Sequence, residues 1–192
     1  MKVIHFLAFV FLFTLATTVI AQEDAHETHT NPLKRHKIGA FLGNALIHGV
    51  HNTRTGKEQY VIAPTIGIDY EYWINHRWAI GTYNEIAHMD IEVITEEHEE
   101  YIKRENAMLF SAVAVFEPFR NFGIFAGTGI ETDPHHTFWI RYLGMEYALV
   151  RHNNWDVSIS VGYVNKDRYD AFTFGVVIGR RFGKNIPSKG HH

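Results

Sequence analysis

The sequence contains no cysteine. That excludes a disulfide framework, a thiolate metal site, a cysteine nucleophile and a lipid-bearing N-terminal cysteine. Proline is scarce, with 5 in 192 residues, and helix-favouring runs of Ala, Leu, Glu and Lys are missing. There is no excess of positive charge: 18 Lys and Arg against 21 Asp and Glu leave a net charge of −3. No nucleic-acid partner is expected from that balance. Past residue 21 no apolar run approaches the roughly 18 residues a transmembrane helix requires. What the chain does have is aromatic residues, 14% of the total, spread through short segments rich in Val, Ile, Tyr, Phe and Thr.

Residues 1–21 read as a secretory signal. Lys2 supplies the positive start, an apolar stretch runs from Phe6 to Leu15, and Val19 and Ala21 stand at the −3 and −1 positions of a cleavage site before Gln22. Thr14, Thr17 and Thr18 break the apolar run, which argues against a retained anchor. Residues 22–36 are polar and read as a flexible periplasmic segment, and residues 184–192 as a flexible tail. The stretch between them, 37–183, is expected to be the folded domain.

Eight strand-like segments fill it: 37–50, 58–74, 77–94, 101–116, 122–130, 137–150, 155–164 and 169–182. Several exceed the usual globular strand of about 5–6 residues and suit the 9–11 or so of a tilted membrane-spanning strand. Their connections alternate. Those at 75–76, 117–121 and 152–154 are tight, whereas those at 52–57, 95–100, 131–136 and 165–168 are mostly more charged. Short periplasmic turns, outer loops and an even strand number are the plan of an outer-membrane barrel. Pro64 falls inside the second segment, where a bulge or a local defect is expected.

The seventh segment alternates cleanly. Trp155, Val157, Ile159, Val161 and Tyr163 share one face, and Asp156, Ser158, Ser160 and Gly162 the other. A soluble secreted barrel would turn the bulky face inward; a membrane barrel turns it to lipid and fills a narrow interior with small and polar residues. The Gly, Ser, Thr and Ala content of the second face favours lipid. Aromatic girdles are expected at both ends: Trp73, Trp78, Trp155, Phe119 and Phe122 on the inner side, and Tyr60, Trp139, Tyr163 and Tyr169 on the outer. Asp69, Glu71, Glu85, Arg141 and Arg181 are candidates for an interior ion-pair network. Arg141 and Glu146, of opposite parity, conflict within one segment.

These features, and above all Pro64–Trp73 (PTIGIDYEYW), Glu117–Glu131 (EPFRNFGIFAGTGIE) and the closing Phe172–Phe182 (FTFGVVIGRRF), resemble the small eight-stranded outer-membrane β-barrels of Gram-negative bacteria, of the OmpX, OmpW and OmpA-barrel type and especially those common in Bacteroidetes. The resemblance spans 37–182. It implies an all-β, eight-stranded antiparallel up-and-down transmembrane barrel in the outer membrane. It also implies contact with outer-membrane lipid and lipopolysaccharide, and insertion by the machinery that reads an aromatic-ended final strand.

Catalysis is not expected. The lipid A deacylases of this fold use a Ser and a His close together on one strand, and no His lies two residues from Ser111, Ser158 or Ser160. The expected role is structural or interactive, the alternatives being a metal or small-ligand site at the outer rim, or a soluble ligand-binding barrel. Histidine supplies the metal candidate. His48, His51, His88, His98, His135 and His136 fall near the proposed outer rim beside Asp90, Glu92, Glu96, Glu97, Glu99, Glu100 and Asp133. Imidazole suits zinc and copper. Without a tight ligand spacing, no resident cofactor is expected, and weak Zn or Cu binding at most. The acidic run 96–100 reads as a solvated tip or a contact for a partner or divalent ions.

Overall fold

A computed structural model describes residues 33–52, 57–95, 100–166 and 169–186, and the side chains of these except 49–52, 57–59, 90–95 and 100–102. The expected signal sequence and most of both tails lie outside those residues. The strands are β1 (Lys34–Asn52), β2 (Lys57–Trp73), β3 (Trp78–Thr95), β4 (Glu100–Phe119), β5 (Phe122–Thr132), β6 (Thr137–His152), β7 (Trp155–Lys166) and β8 (Asp170–Asn185). Each pairs antiparallel with the next, and β8 pairs with β1 to close the barrel. Two boundaries move outward from expectation. Lys34 pairs with Asn185, so β1 starts before residue 37 and β8 runs past residue 183.

Alternation decides inside from outside. Ser158 is fully buried in the barrel and Ser160 lies beside it on the same face, while Ile159 is 46% exposed. Ile62, Ile66, Ile68, Leu143, Met145, Phe172, Phe174 and Val176 are likewise exposed. The bulky face therefore points outward on every side, the pattern of a lipid-facing wall and the reverse of a soluble barrel. Trp78 and Trp155 mark its inner border, Tyr60 and Trp139 its outer one.

Two girdle assignments are corrected. Trp73 is buried, with its indole N–H donating to Glu71 Oε2 at 2.8 Å. Tyr169 is buried, with its hydroxyl donating to Glu131 Oε1 at 2.6 Å. Each ring brings a polar tip that an interior carboxylate satisfies, and that partner draws it inward. Arg141 is a third correction. β6 is regular from Thr137 to Ala148, so Glu146 faces in and Arg141 faces out, exposed on the lipid side. Pro64 makes no bulge: the register with β1 continues through Asn44 and Pro64. It is a defect of another kind, because the ladder between β2 and β3 begins only at Thr65 and Ala87. A residue without an amide proton ends the pairing there.

The interior is a packed core. Tyr83, Phe125 and Tyr142 meet edge-on with centroids 5.0 and 5.1 Å apart across the middle of the barrel. Glycine in the wall leaves them room. A Cβ on Gly144 would fall 2.3 Å from Phe125 Cζ, and one on Gly43 would fall 2.6 Å from Phe41 Cζ.

Candidate functional site

The aromatic layer separates two buried charge clusters. In the inner one, Lys37 Nζ lies 2.7 Å from Glu146 and 3.3 Å from Glu71. Glu71 also accepts from Tyr83 at 3.0 Å. Arg181 Nε donates to Asp156 at 2.7 Å, and its guanidinium lies 4.7 Å over the Trp73 ring. Arg151 grips Glu117 with both terminal nitrogens at 2.8 and 3.0 Å, the two-pronged geometry guanidinium favours. Of the expected interior network, Asp69, Glu71, Glu85 and Arg181 are buried as anticipated.

The outer cluster centres on Arg104, which is completely buried. Its Nη2 donates to Glu131 at 2.6 Å, its Nε to the Tyr169 hydroxyl at 3.2 Å and its Nη1 to the His136 carbonyl at 3.3 Å. Nη1 also lies 2.7 Å from Asp133 Oδ2, and Phe138 stacks under the guanidinium at 4.6 Å. Lys166 holds the other oxygen of Glu131 at 2.6 Å. Asp133 Oδ1 accepts the amides of His135 and His136 at 2.8 and 2.7 Å. The β5–β6 connection is thus folded onto Arg104 and closes the outer mouth on its side. Burial would raise the Asp133 carboxyl, but those two amides and the Arg104 guanidinium outweigh it and hold Asp133 below its ordinary value.

Period-two reading missed Arg104 for a definite reason. Ala87 pairs with Ala107 and Asp90 with Glu105, so His88 and Met89 together face Asn106. Asn106 takes the left-handed conformation, with φ of 46°. This bulge shifts the inward parity of β4 from Ala107 to Arg104. Arg151 arrives the same way. Ala148 pairs with Ser158 and Val150 with Val157, leaving Leu149 as the extra residue that turns Arg151 inward. Asn in a left-handed bulge position is the one local signal that could have located the shift in β4.

The histidine candidates are dispersed. His48 lies exposed on β1 against the Tyr60 ring at 4.9 Å, and His88 lies exposed on β3. His135 and His136 are exposed neighbours with ring centroids 6.4 Å apart. The side chain of His51 and the whole of His98 lie outside the described residues, as do the side chains of Asp90, Glu92 and the acidic run. Among the described residues no three His or acidic side chains converge as a metal set. Ser111 donates to the Tyr83 carbonyl at 2.9 Å.

Among solved structures, the chain is similar to Ail, the attachment invasion locus protein of Yersinia pestis, with a TM-score of 0.51 and 14% identity over 78% of this chain and 99% of that one. The outer membrane protein OprG of Pseudomonas aeruginosa gives a TM-score of 0.48 at 12% identity, covering 79% and 99% of the two chains. The fold is that of a small eight-stranded outer-membrane barrel. No protein-family model matches the sequence, and no curated protein is significantly similar to it.

Among the described residues the interior is closely filled. Two interior cavities hold about 20 Å³ each, room for a water or two. One is lined by Glu85, Met89, Leu109 and Lys166, the other by Lys37, Trp73, Glu117 and Arg151. The aromatic layer stands between the charge clusters.

Proposed function

We propose that this protein is a non-catalytic integral barrel of the bacterial outer membrane, exported on a cleaved signal, with an interaction role at the cell surface. The observation that carries this reading is the pairing of an apolar outer wall with an interior filled by rings and matched charges. Such a body anchors; it does not conduct. The interaction surface is the outer end of β1–β4. These strands have 17 to 20 residues each, well beyond the 9–11 or so that crossing a bilayer requires. The similar structure of Ail belongs to a protein named for attachment and invasion, and an interaction role agrees with that name.

The test is fractionation of expressing cells with detergent extraction, joined to labelling of single cysteines by an impermeant reagent on intact cells. Retention in the membrane pellet, label on a cysteine at 96–99 and none on one replacing Asn153 are expected. Recovery in the soluble fraction, or label at Asn153, would sink the proposal. Steady conductance of purified barrels in planar bilayers would overturn the sealed interior.

A further inference from the structure

We propose that Arg141 is an outer-leaflet phosphate site: it holds the phosphate of a lipopolysaccharide lipid A headgroup against the outside of the barrel. The inference rests on the outward face being lipid-facing. Going down the outward face of β6 from its outer end, the residues are Thr137, Trp139, Arg141, Leu143 and Met145. Trp139, Leu143 and Met145 are all more than half exposed. Arg141 therefore lies on the membrane side of the outer tryptophan, two residues deeper, which is about 5 Å along the bilayer normal for a tilted strand. A bare guanidinium at that depth is costly.

Nothing in the described protein offsets that cost. Arg141 pairs across the backbone with Thr128 on β5 and Asn165 on β7. Thr128 donates its hydroxyl to the Ile140 carbonyl at 2.8 Å. The nearby acid, Asp170, is engaged at both oxygens, by the Tyr163 hydroxyl at 2.7 Å and the Asn165 amide at 2.9 Å. Arg180, also on the outward face but near the inner border, lies 5.4 Å over the Trp155 ring. Arg141 has no ring, acid or acceptor of that kind among the described residues. Its stem can lie along the apolar wall while the head reaches up to the headgroup level. There a phosphate monoester offers two anionic oxygens that the planar guanidinium fork can bind together. The site also lies on the side where the strands end low, at Thr132 and Thr137. Headgroups can approach the wall there.

The experiment is native mass spectrometry of the full-chain barrel released from detergent micelles doped with lipid A, with dephosphorylated lipid A as the matched probe. Wild type should retain phosphorylated lipid A over the dephosphorylated form, and Arg141→Leu should lose that preference by about tenfold, the size of one charge-assisted hydrogen bond. Arg141→Lys should restore part of it, and excess inorganic phosphate should not compete, because the acyl chains anchor the ligand. Equal retention of the two lipids by wild type, an unchanged preference in Arg141→Leu, or displacement by inorganic phosphate each overturns the proposal. Should Arg141→Leu fold poorly, Arg141→Gln and the wild-type comparison of the two lipids decide the same question. A wild-type barrel that stays in water without detergent overturns the lipid-facing reading as well; an inserted barrel without phosphate preference fails on Arg141 alone.

Discussion

The two halves of the barrel wall are built to different heights. β1 to β4 have 19, 17, 18 and 20 residues, whereas β5 to β8 have 11, 16, 12 and 16. Pairing between β2 and β3 stops at Thr65 and Ala87, and pairing between β4 and β5 stops at Met108 and Thr132. Beyond those levels the β1–β2 and β3–β4 hairpins continue on their own ladders and meet through Val50 and Val93. The low half instead folds its β5–β6 connection over the mouth. The tall half projects and the low half seals. At the outer mouth Arg104 ties them together, because it rises on the tall β4 and is held by Glu131, Asp133 and Tyr169 of the low side.

Breaking that tie should have the largest effect. Arg104→Ala strands Asp133, and leaves Glu131 with Lys166 and Tyr169 in a buried site. A loss of about 3–5 kcal/mol is expected, the usual result of removing one partner from a buried ion network. Reversible urea unfolding in lipid vesicles would measure it. Arg104→Met, which keeps the volume, should be nearly as damaging, since the acids are still left behind. A loss below about 1 kcal/mol would mean that water already serves those acids and that the mouth is open.

The contrast between wall and interior is tested next. Ile159→Arg puts a charge near the middle of the lipid-facing surface and should cost about 2–4 kcal/mol. Ile159→Leu should cost little. Tolerance of the arginine, with loss on the leucine change, would mean that this face is packed against protein.

How far these features were legible varies with the kind of signal. Strand number, alternation and inner turns followed from period two and from turn residues. The Asn153–Asn154 turn shows why: both residues take positive φ, of 49° and 68°, as a tight hairpin requires. The inner cluster was half visible, since Asp69 and Glu71 alternate cleanly with Ile68, Tyr70 and Tyr72, and Arg181 shares the parity of Gly175 and Gly179 although Arg180 interrupts the apolar face. Arg104 and Arg151 were hidden because each lies across a bulge from the clean part of its strand, and a one-residue slip reverses every assignment beyond it. Arg141 was misplaced for the opposite reason: a charged residue was presumed internal where β6 is regular and carries it outward. Trp73 and Tyr169 were misplaced by residue type, since aromatics at strand ends serve interior carboxylates as readily as lipid headgroups. The histidine candidates depended on loop positions that periodicity does not encode.

The bulge that aims Arg104 makes a smaller, sharper test. Asn106→Ala keeps a β-carbon in the left-handed region but removes the carboxamide that lets Asn adopt it, at a cost of up to about 1–2 kcal/mol. Asn106→Gly should be neutral or nearly so, because glycine takes that conformation freely. Thermal unfolding followed by the gel-mobility difference between folded and unfolded barrel would separate the two. Equal losses for both variants would assign the effect to the Asn106 side chain and leave the backbone device without support.

The smallest effect expected is confined to the β5–β6 connection and depends on pH. Asp133 is held below its ordinary carboxylate value of 3.8 by the His135 and His136 amides and by Arg104. A carboxylate depressed on folding contributes stability that is complete above its unfolded value and disappears as pH falls through the folded one. Between neutral pH and about pH 5 the Asp133 contribution should therefore not change. Below about pH 4 protonation weakens the pair with Arg104, and the two amides lose their charged acceptor. Hydrogen exchange at His135 and His136, corrected for its intrinsic pH dependence, should show protection that is constant down to about pH 5 and falls in more acid solution. Asp133→Asn should remove that pH dependence and lower protection throughout, because an amide oxygen accepts more weakly and offers Arg104 no charge. Strand amides in β7 should stay protected across the same range, since this loss is local to the mouth. If protection at His135 and His136 instead fell between about pH 7 and pH 5, while Asp133 was still ionised, the connection would be held by something other than this carboxylate.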